Sequence, residues 1–267
     1  TSAPELFVSL IAAIRGSSDI AIGNVVGSNI ANIGLVLAFS AIVITIPVQR
    51  STIRFDFPVL IFASLIFTVF MLDLLISSYE GIIMISLMFV YLYFIIKFNK
   101  VKKSEKLIVD KTKKVDVRGK LGSIKSILIV IISCFGLMVG SDILVEGSVN
   151  IATSLGVSER IISITVVSFG TSIPELATSL IAIFKKQIDI GVGNIIGSNI
   201  FNIFVIAGIA SIVVPLDVNP NILKFDMYFL LGFVVLTGLF FIPFKKPRIN
   251  RPKGCILLLA YFVYYYL

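Results

Sequence analysis

The chain has 267 residues, 57% hydrophobic and only 14% charged, with a mean hydropathy of +1.05; soluble domains carry nearer a quarter charged residues, so an ordinary soluble globule is excluded. The formal charge is +8 with no histidine at all, which removes imidazole metal ligands, Ser–His nucleophiles and histidine proton relays. The two cysteines, Cys134 and Cys255, lie in or beside apolar blocks without metal-like spacing; both read as packing residues, and no disulfide is expected.

In chain order, nine apolar segments cover 1–14, 20–46, 56–76, 81–97, 124–153, 160–184, 190–214, 225–243 and 254–267. A spanning helix needs ~20 predominantly apolar residues, whereas a membrane barrel would show short alternating segments. The pattern predicts an all-α, multi-pass integral membrane protein. The first segment opens on Thr1-Ser2-Ala3-Pro4-Glu5, and the second holds Gly23-Asn24-Val25-Val26-Gly27-Ser28-Asn29-Ile30-Ala31-Asn32. Asp19 precedes the second segment and Asp56 opens the third; both read as helix N-caps. The loop 97–120 is strongly basic and reads as a solvated linker, with docking to anionic lipid or a regulator as the other reading. Asp142 and Glu146 share a face of the fifth segment, at an outer entrance or in packing. Thr171-Ser172-Ile173-Pro174-Glu175 lies in the sixth segment and Gly193-Asn194-Ile195-Ile196-Gly197-Ser198-Asn199-Ile200-Phe201-Asn202 in the seventh. Asp189 and Asp226 repeat the cap positions.

Basic residues fix an orientation. Twenty of the 23 Lys and Arg fall in one set of alternate loops, leaving Arg15, Arg160 and Lys224 for the other. This is the positive-inside pattern, so the basic loops are placed in the cytoplasm. The net charge is a topology signal and not a sign of nucleic-acid binding.

Residues 1–33 align without gaps to 171–203 with 19 identities, where chance at such compositions gives roughly three. The copies start in the first and sixth segments. Five segments separate them, so they cross the membrane in opposite senses, as the inverted repeats of secondary transporters do. The organisation expected is a first repeat at 1–97, a basic cytoplasmic linker at 98–123 and a second repeat at 124–267. The second copy is preceded by one and a half helices with no counterpart before Thr1. The expected fold is therefore an inverted-repeat, ten-helix transporter lacking its first one and a half helices.

Pro174 lacks an N–H and its ring clashes with the carbonyl four residues back, so a kink or unwinding is expected near Gly170–Thr171, releasing backbone oxygens at membrane depth. Such backbone is tolerated only when buried in protein or lining a cavity. Thr171 and Glu175 share a helix face, and Thr1, Ser2, Pro4 and Glu5 repeat the set. Asn194, Ser198 and Asn202 form a second stripe, repeated by Asn24, Ser28 and Asn32, while Gly23, Gly27, Gly193 and Gly197 permit close helix contact. The sum is two carboxylates and many neutral oxygens, a ligand set for hard cations such as Ca²⁺ or Na⁺; softer metals prefer His or Cys. A helix-packing role explains the glycines, and Asn29 and Asn199, which point off the stripe. It does not explain Glu5 and Glu175, because a carboxylate inside a membrane marks a functional site.

The paired "TSAPE"/"GNVVGSNIAN" and "GTSIPE"/"GNIIGSNIFN" motifs resemble the two repeats of the calcium/cation antiporter superfamily, closest in pattern to prokaryotic sodium/calcium exchangers. The resemblance implies an electrogenic antiporter that exchanges several Na⁺ for one Ca²⁺ by alternating access, with both ions as substrates and no cofactor. It places Glu5 and Glu175 as central acidic ligands. Thr1, Thr171, Ser2 and Ser172 would supply hydroxyl and carbonyl oxygens, Ser28 and Ser198 would flank Na⁺ sites, Asn32 and Asn202 would be central, and Ser168 would offer its carbonyl to an outer Na⁺. Asn202 departs from members that carry Asp there. The short central loop implies a prokaryotic inner membrane.

An empty site with two ionised carboxylates should not cross the bilayer, while one neutralised by Ca²⁺ or Na⁺ can, and this couples the fluxes. The alternatives are a Ca²⁺/H⁺ antiporter, with the glutamates carrying protons, and a cation channel, which needs no counter-ion. An intramembrane protease is disfavoured by the lack of histidine and of a plausible Asp dyad.

Overall fold

The computed structural model describes residues 2–106, 120–184, 191–242 and 247–267. Thr1, the centre of the basic loop, Lys185, Lys186, Asp189, Lys245 and Lys246 lie outside the described residues, as does the side chain of Cys134.

Each apolar block carries a helical stretch. The elements are α1 (Ala3–Ile14), α2 (Ser18–Ala31) running through a π turn at Asn32–Leu37 into α3 (Ala38–Val43), and α4 (Phe57–Phe70) entered through a π turn at Thr52–Asp56. Next come α5 (Ser78–Lys106), α6 (Lys120–Leu155), and α7 (Glu159–Ile162) joined by a π turn at Ser163–Val167 to α8 (Ser168–Phe184). The last are α9 (Gly191–Phe201), a π turn at Asn202–Ala207 and α10 (Gly208–Val213), then α11 (Met227–Phe240) after a π turn at Ile222–Asp226, and α12 (Arg251–Tyr266). Among the described residues, seven stretches are long and apolar enough to cross a membrane, while α1 is a shorter apolar helix.

Local chemistry sets the ends. Gly16 (φ 80°) and Gly156 (φ 65°) take the left-handed conformation that closes α1 and α6, with the N–H groups of Ser17 and Val157 returning to Ala12 and Ala152. Glycine adopts this geometry without a Cβ penalty. The side chain of Ser158 caps α7 and that of Asn250 caps α12.

Depth in the bundle follows the motifs. The most apolar windows of Ser18–Val43 and Val192–Val213 are 83% and 72% buried, against 11% for Ser78–Lys97. The two motif helices form the centre, and α5 turns Phe89, Tyr93 and Phe94 outward. Lipid tails give helices little hydrophobic reason to associate, so close contact at small residues must hold the bundle. Thus α5 packs on α10 and α12 on α3. A Cβ on Gly81 would stand 2.7 Å from the Gly208 carbonyl, and one on Gly254 2.7 Å from that of Ala38.

Two short ladders clip the loops. Strand β1 (Ile46–Pro47) pairs antiparallel with β4 (Arg248–Ile249), and β2 (Leu75–Ile76) with β3 (Leu216–Asp217). Each ladder joins loops that the charge pattern places on one side: the basic side for the first, the opposite side for the second.

Several sequence expectations need correction. Asp56 and Asp226 do not cap helices, because the chain is already helical before them. Asp56 accepts from the Tyr91 hydroxyl at 3.0 Å, and Asp226 is bound by Arg160 at 2.7 Å and by the Tyr264 hydroxyl at 2.9 Å. Asp19 accepts from the Asn219 amide at 2.9 Å. Asp142 and Glu146 pair with Arg15 at 2.6 and 3.4 Å. Cys255 is exposed on the outer face of α12 and packs into no core.

Candidate cation site

Pro4 sits in the first turn of α1, where an N–H has no intrahelical acceptor and its loss is harmless. This puts Glu5 in the same first turn, at the positive end of the helix dipole. Glu5 is fully buried and Glu175 is 2% exposed. The Ser2 hydroxyl donates to Glu175 Oε1 at 3.4 Å, which brings the start of α1 against the middle of α8, and the two carboxyls lie within electrostatic reach of one another.

The expected unwinding at Gly170–Thr171 does not occur. Helix α8 runs unbroken from Ser168 past Pro174, and the irregularity falls upstream in the π turn Ser163–Val167. There the Ser168 hydroxyl donates to the carbonyl of Ser163 (2.8 Å) and lies 3.3 Å from that of Gly23, and the Tyr265 hydroxyl donates to that of Ile164 (2.9 Å). Side-chain donors thus take up two carbonyls of the widened turn.

Helix α2 is the common wall. Asn24 donates to the Glu5 carbonyl at 3.1 Å and to Ser9 Oγ at 2.9 Å, and its Oδ1 accepts from Thr171 Oγ1 at 3.2 Å; that hydroxyl also lies 3.3 Å from the Ser168 carbonyl. One and two turns on, Ser28 Oγ accepts from the Asn202 amide at 3.1 Å, and the Asn32 amide donates to Asn199 Oδ1 at 2.9 Å. Ser172 and Ser198 are buried on α8 and α9. Of the sequence-derived ligand set, Ser2 with Glu175 and Ser28 with Asn202 are joined directly. Glu5 and Thr171 are linked through Asn24, the Ser168 carbonyl lies against the Thr171 hydroxyl, and Asn32 is held by Asn199. Thr1 lies outside the described residues.

The repeat is not mirrored in detail. A Cβ on Gly23 would meet Ser163 Oγ at 2.7 Å, and one on Gly27 would strike Ser168, so α2 lies hard against the π turn. Among the described residues, Gly197 has nothing within 4 Å and Gly193 only Thr52 at 3.3 Å, so the expected close approach is seen in the first copy. Asn24 is buried but Asn194 is exposed. Asn199, read from sequence as packing, bonds directly to a candidate ligand. Its identity with Asn29 in the repeat was the available signal, and it could not tell the two apart.

Among the described residues of the candidate ligand set, the buried side-chain oxygens without a hydrogen-bond partner include both of Glu5, Oδ1 of Asn32, Oδ1 of Asn202 and Oγ of Ser172. Buried polar atoms are nearly always paired, and an orphan calls for an explanation. Each of these oxygens can accept. Acceptor oxygens gathered in a dry region, one pair of them from a carboxyl group, suit a hard cation.

The chain is similar to known membrane proteins. The family model described as "Sodium/calcium exchanger protein" matches residues 1–97 and 125–267. CaxA of Alkalimonas amylolytica is 35% identical over 268 residues, covering 100% of this chain and 84% of that one. Inner membrane protein YrbG of Escherichia coli (strain K12) is 30% identical over 260 residues, covering 96% and 79%. Among solved structures, the sodium-calcium exchanger NCX_Mj soaked with 10 mM Na⁺ and 10 mM Sr²⁺ matches at TM-score 0.69 and 29% identity, over 97% of this chain and 80% of that one.

Proposed function

Because this chain belongs to the sodium/calcium exchanger family, a family of cation antiporters and not of enzymes, we propose that it exchanges Na⁺ for Ca²⁺ across a prokaryotic inner membrane. Glu5 and Glu175 bind Ca²⁺ together, with Ser2, Thr171, Ser172, Asn32 and Asn202 completing an oxygen cage and Thr1 in the position matching Thr171. Na⁺ takes the same carboxylates, aided by Ser28, Ser198 and the Ser168 carbonyl. The observation that carries this reading is the set of partnerless, fully buried acceptor oxygens on Glu5, Asn32 and Asn202.

The choice of Na⁺ over H⁺ rests on the neutral oxygens. A proton needs one carboxylate oxygen, whereas Na⁺ needs several oxygens around it, and the stripe of Ser, Thr and Asn supplies them. The halves 1–97 and 124–267, joined through 98–123, act as inverted repeats that open the site to each side in turn. With two carboxylates as its acidic groups, the site is neutralised by one Ca²⁺ or by the Na⁺ that replaces it, and only the loaded site crosses.

The test is ⁴⁵Ca²⁺ uptake into vesicles carrying the protein, driven by an imposed Na⁺ gradient at equal pH or by a pH gradient without Na⁺. Uptake with Na⁺ alone supports the proposal. Uptake with the pH gradient alone makes the protein a Ca²⁺/H⁺ antiporter, and uptake with neither makes it a channel.

A further inference from the structure

We propose that Asn199 is a positioning residue that turns the oxygen of Asn32 toward the transported cation. This deepens the reading above and rests on it.

An asparagine amide can present either an acceptor or a donor. Beside a cation only the oxygen is useful, and the NH₂ group repels. Which end faces the site is decided by what the rest of the amide meets, and here a chain of bonds leaves one solution. Asn199 Nδ2 lies 3.1 Å from the backbone carbonyl of Asn29. A carbonyl only accepts, so Asn199 must direct its NH₂ there. Its Oδ1 is thereby committed to the other side, 2.9 Å from the Asn32 amide. Asn32 must answer with its NH₂, which leaves its own Oδ1 free, fully buried and without a hydrogen-bond partner.

Asn202 is oriented by a separate chain. The Ser28 hydroxyl donates to the Val25 carbonyl at 3.2 Å and so accepts from Asn202 Nδ2, leaving Asn202 Oδ1 free. One amide is therefore set by a candidate ligand and the other by a residue outside that set. Asn29, which occupies the position in the first copy that Asn199 occupies in the second, makes no side-chain hydrogen bond. Two residues identical in the repeat thus have different tasks. Without Asn199, the Asn32 amide would turn its N–H groups to the nearest buried acceptors, and the site is made of acceptors.

The experiment compares Asn199→Ala and Asn199→Leu with Asn29→Ala and Glu175→Gln, measuring counter-ion-driven ⁴⁵Ca²⁺ uptake over a range of Ca²⁺ concentrations. Asn199→Ala should raise the KM for Ca²⁺ about tenfold, equivalent to about 1.4 kcal/mol, with the saturated rate little changed, while Asn29→Ala stays near the parent. Asn199→Leu, which keeps the branched outline and the number of side-chain heavy atoms, should do the same without leaving a cavity. The decisive arm is the Asn32→Asp background. A carboxylate has two equivalent oxygens and no N–H to direct, so there Asn199→Ala should shift KM by no more than about twofold. Where Asn32→Asp does not turn over, equilibrium ⁴⁵Ca²⁺ binding to the purified protein supplies the comparison.

An equal KM shift in both backgrounds, an unchanged KM, or failure of both Asn199 variants to fold would make the role architectural and overturn the proposal. Full transport by Glu175→Gln would instead overturn the reading of the site itself, which separates the two failures.

Discussion

Replacing Glu175 with Gln keeps the shape and one acceptor oxygen but removes one of the two negative charges at the centre of the bundle. The side chain is 2% exposed and Glu5 is fully buried, so water cannot screen the change. Ca²⁺ would then face a site with half its charge while losing the same hydration. Truncating one partner of a buried charge pair costs about 2–5 kcal/mol. At about 1.4 kcal/mol per factor of ten, that is roughly thirty-fold to several thousand-fold in affinity. Uptake of ⁴⁵Ca²⁺ at low micromolar Ca²⁺ should fall to background, and direct ⁴⁵Ca²⁺ binding should weaken in step. Glu146→Gln is the control: that side chain is 62% exposed and its ion pair with Arg15 is long at 3.4 Å, so about 0–1 kcal/mol is at stake and transport should stay near the parent. A folded Glu175→Gln protein with a KM within about threefold of the parent would refute the idea that the buried carboxylates bind the ion.

The same carboxylates make transport sensitive to pH. Protonation removes the charge that Ca²⁺ needs, so KM should rise as pH falls from mildly alkaline to mildly acidic, and high Ca²⁺ should restore the rate; vesicle uptake with no such trend would exclude proton competition. Arg160→Met should be costly, because Asp226 is 1% exposed and would lose its ion pair at 2.7 Å. Breaking such a pair costs about 3–5 kcal/mol, read as a lower thermal midpoint in detergent, and adding Asp226→Asn should recover much of the loss. Gly254→Ala should destabilise by about 1–3 kcal/mol through overpacking, since its Cβ would stand 2.7 Å from the Ala38 carbonyl and 3.1 Å from Ala41 Cβ. Gly232→Ala, with nothing within 4 Å, should leave the same midpoint unmoved.

The membrane class, the segment boundaries and the two acidic positions were legible in the sequence because each rests on a one-dimensional signal. Hydropathy counts residues, positive-inside charge counts loops, and the repeat marks the same offset for Glu5 and Glu175, Ser28 and Ser198, Asn32 and Asn202. Most of the errors concern partners. Asp56 and Asp226 read as caps because they open apolar runs, yet their bonds go to Tyr91, and to Arg160 with Tyr264, far along the chain. Pro174 read as a break because local sterics say so, but α8 stays helical through it and the irregular turn falls upstream at Ser163–Val167.

Sequence by itself determined which residue types stand at which heights on which helices, since period and hydropathy are properties of the chain alone. Only the tertiary structure decided how each amide is turned and which of two identical residues does the turning. Asn29 and Asn199 are the same letter in the same motif, yet one donates to a carbonyl and holds Asn32 while the side chain of the other bonds to nothing. A hydrogen bond has a direction, and that direction is set by whichever acceptor the fold places opposite.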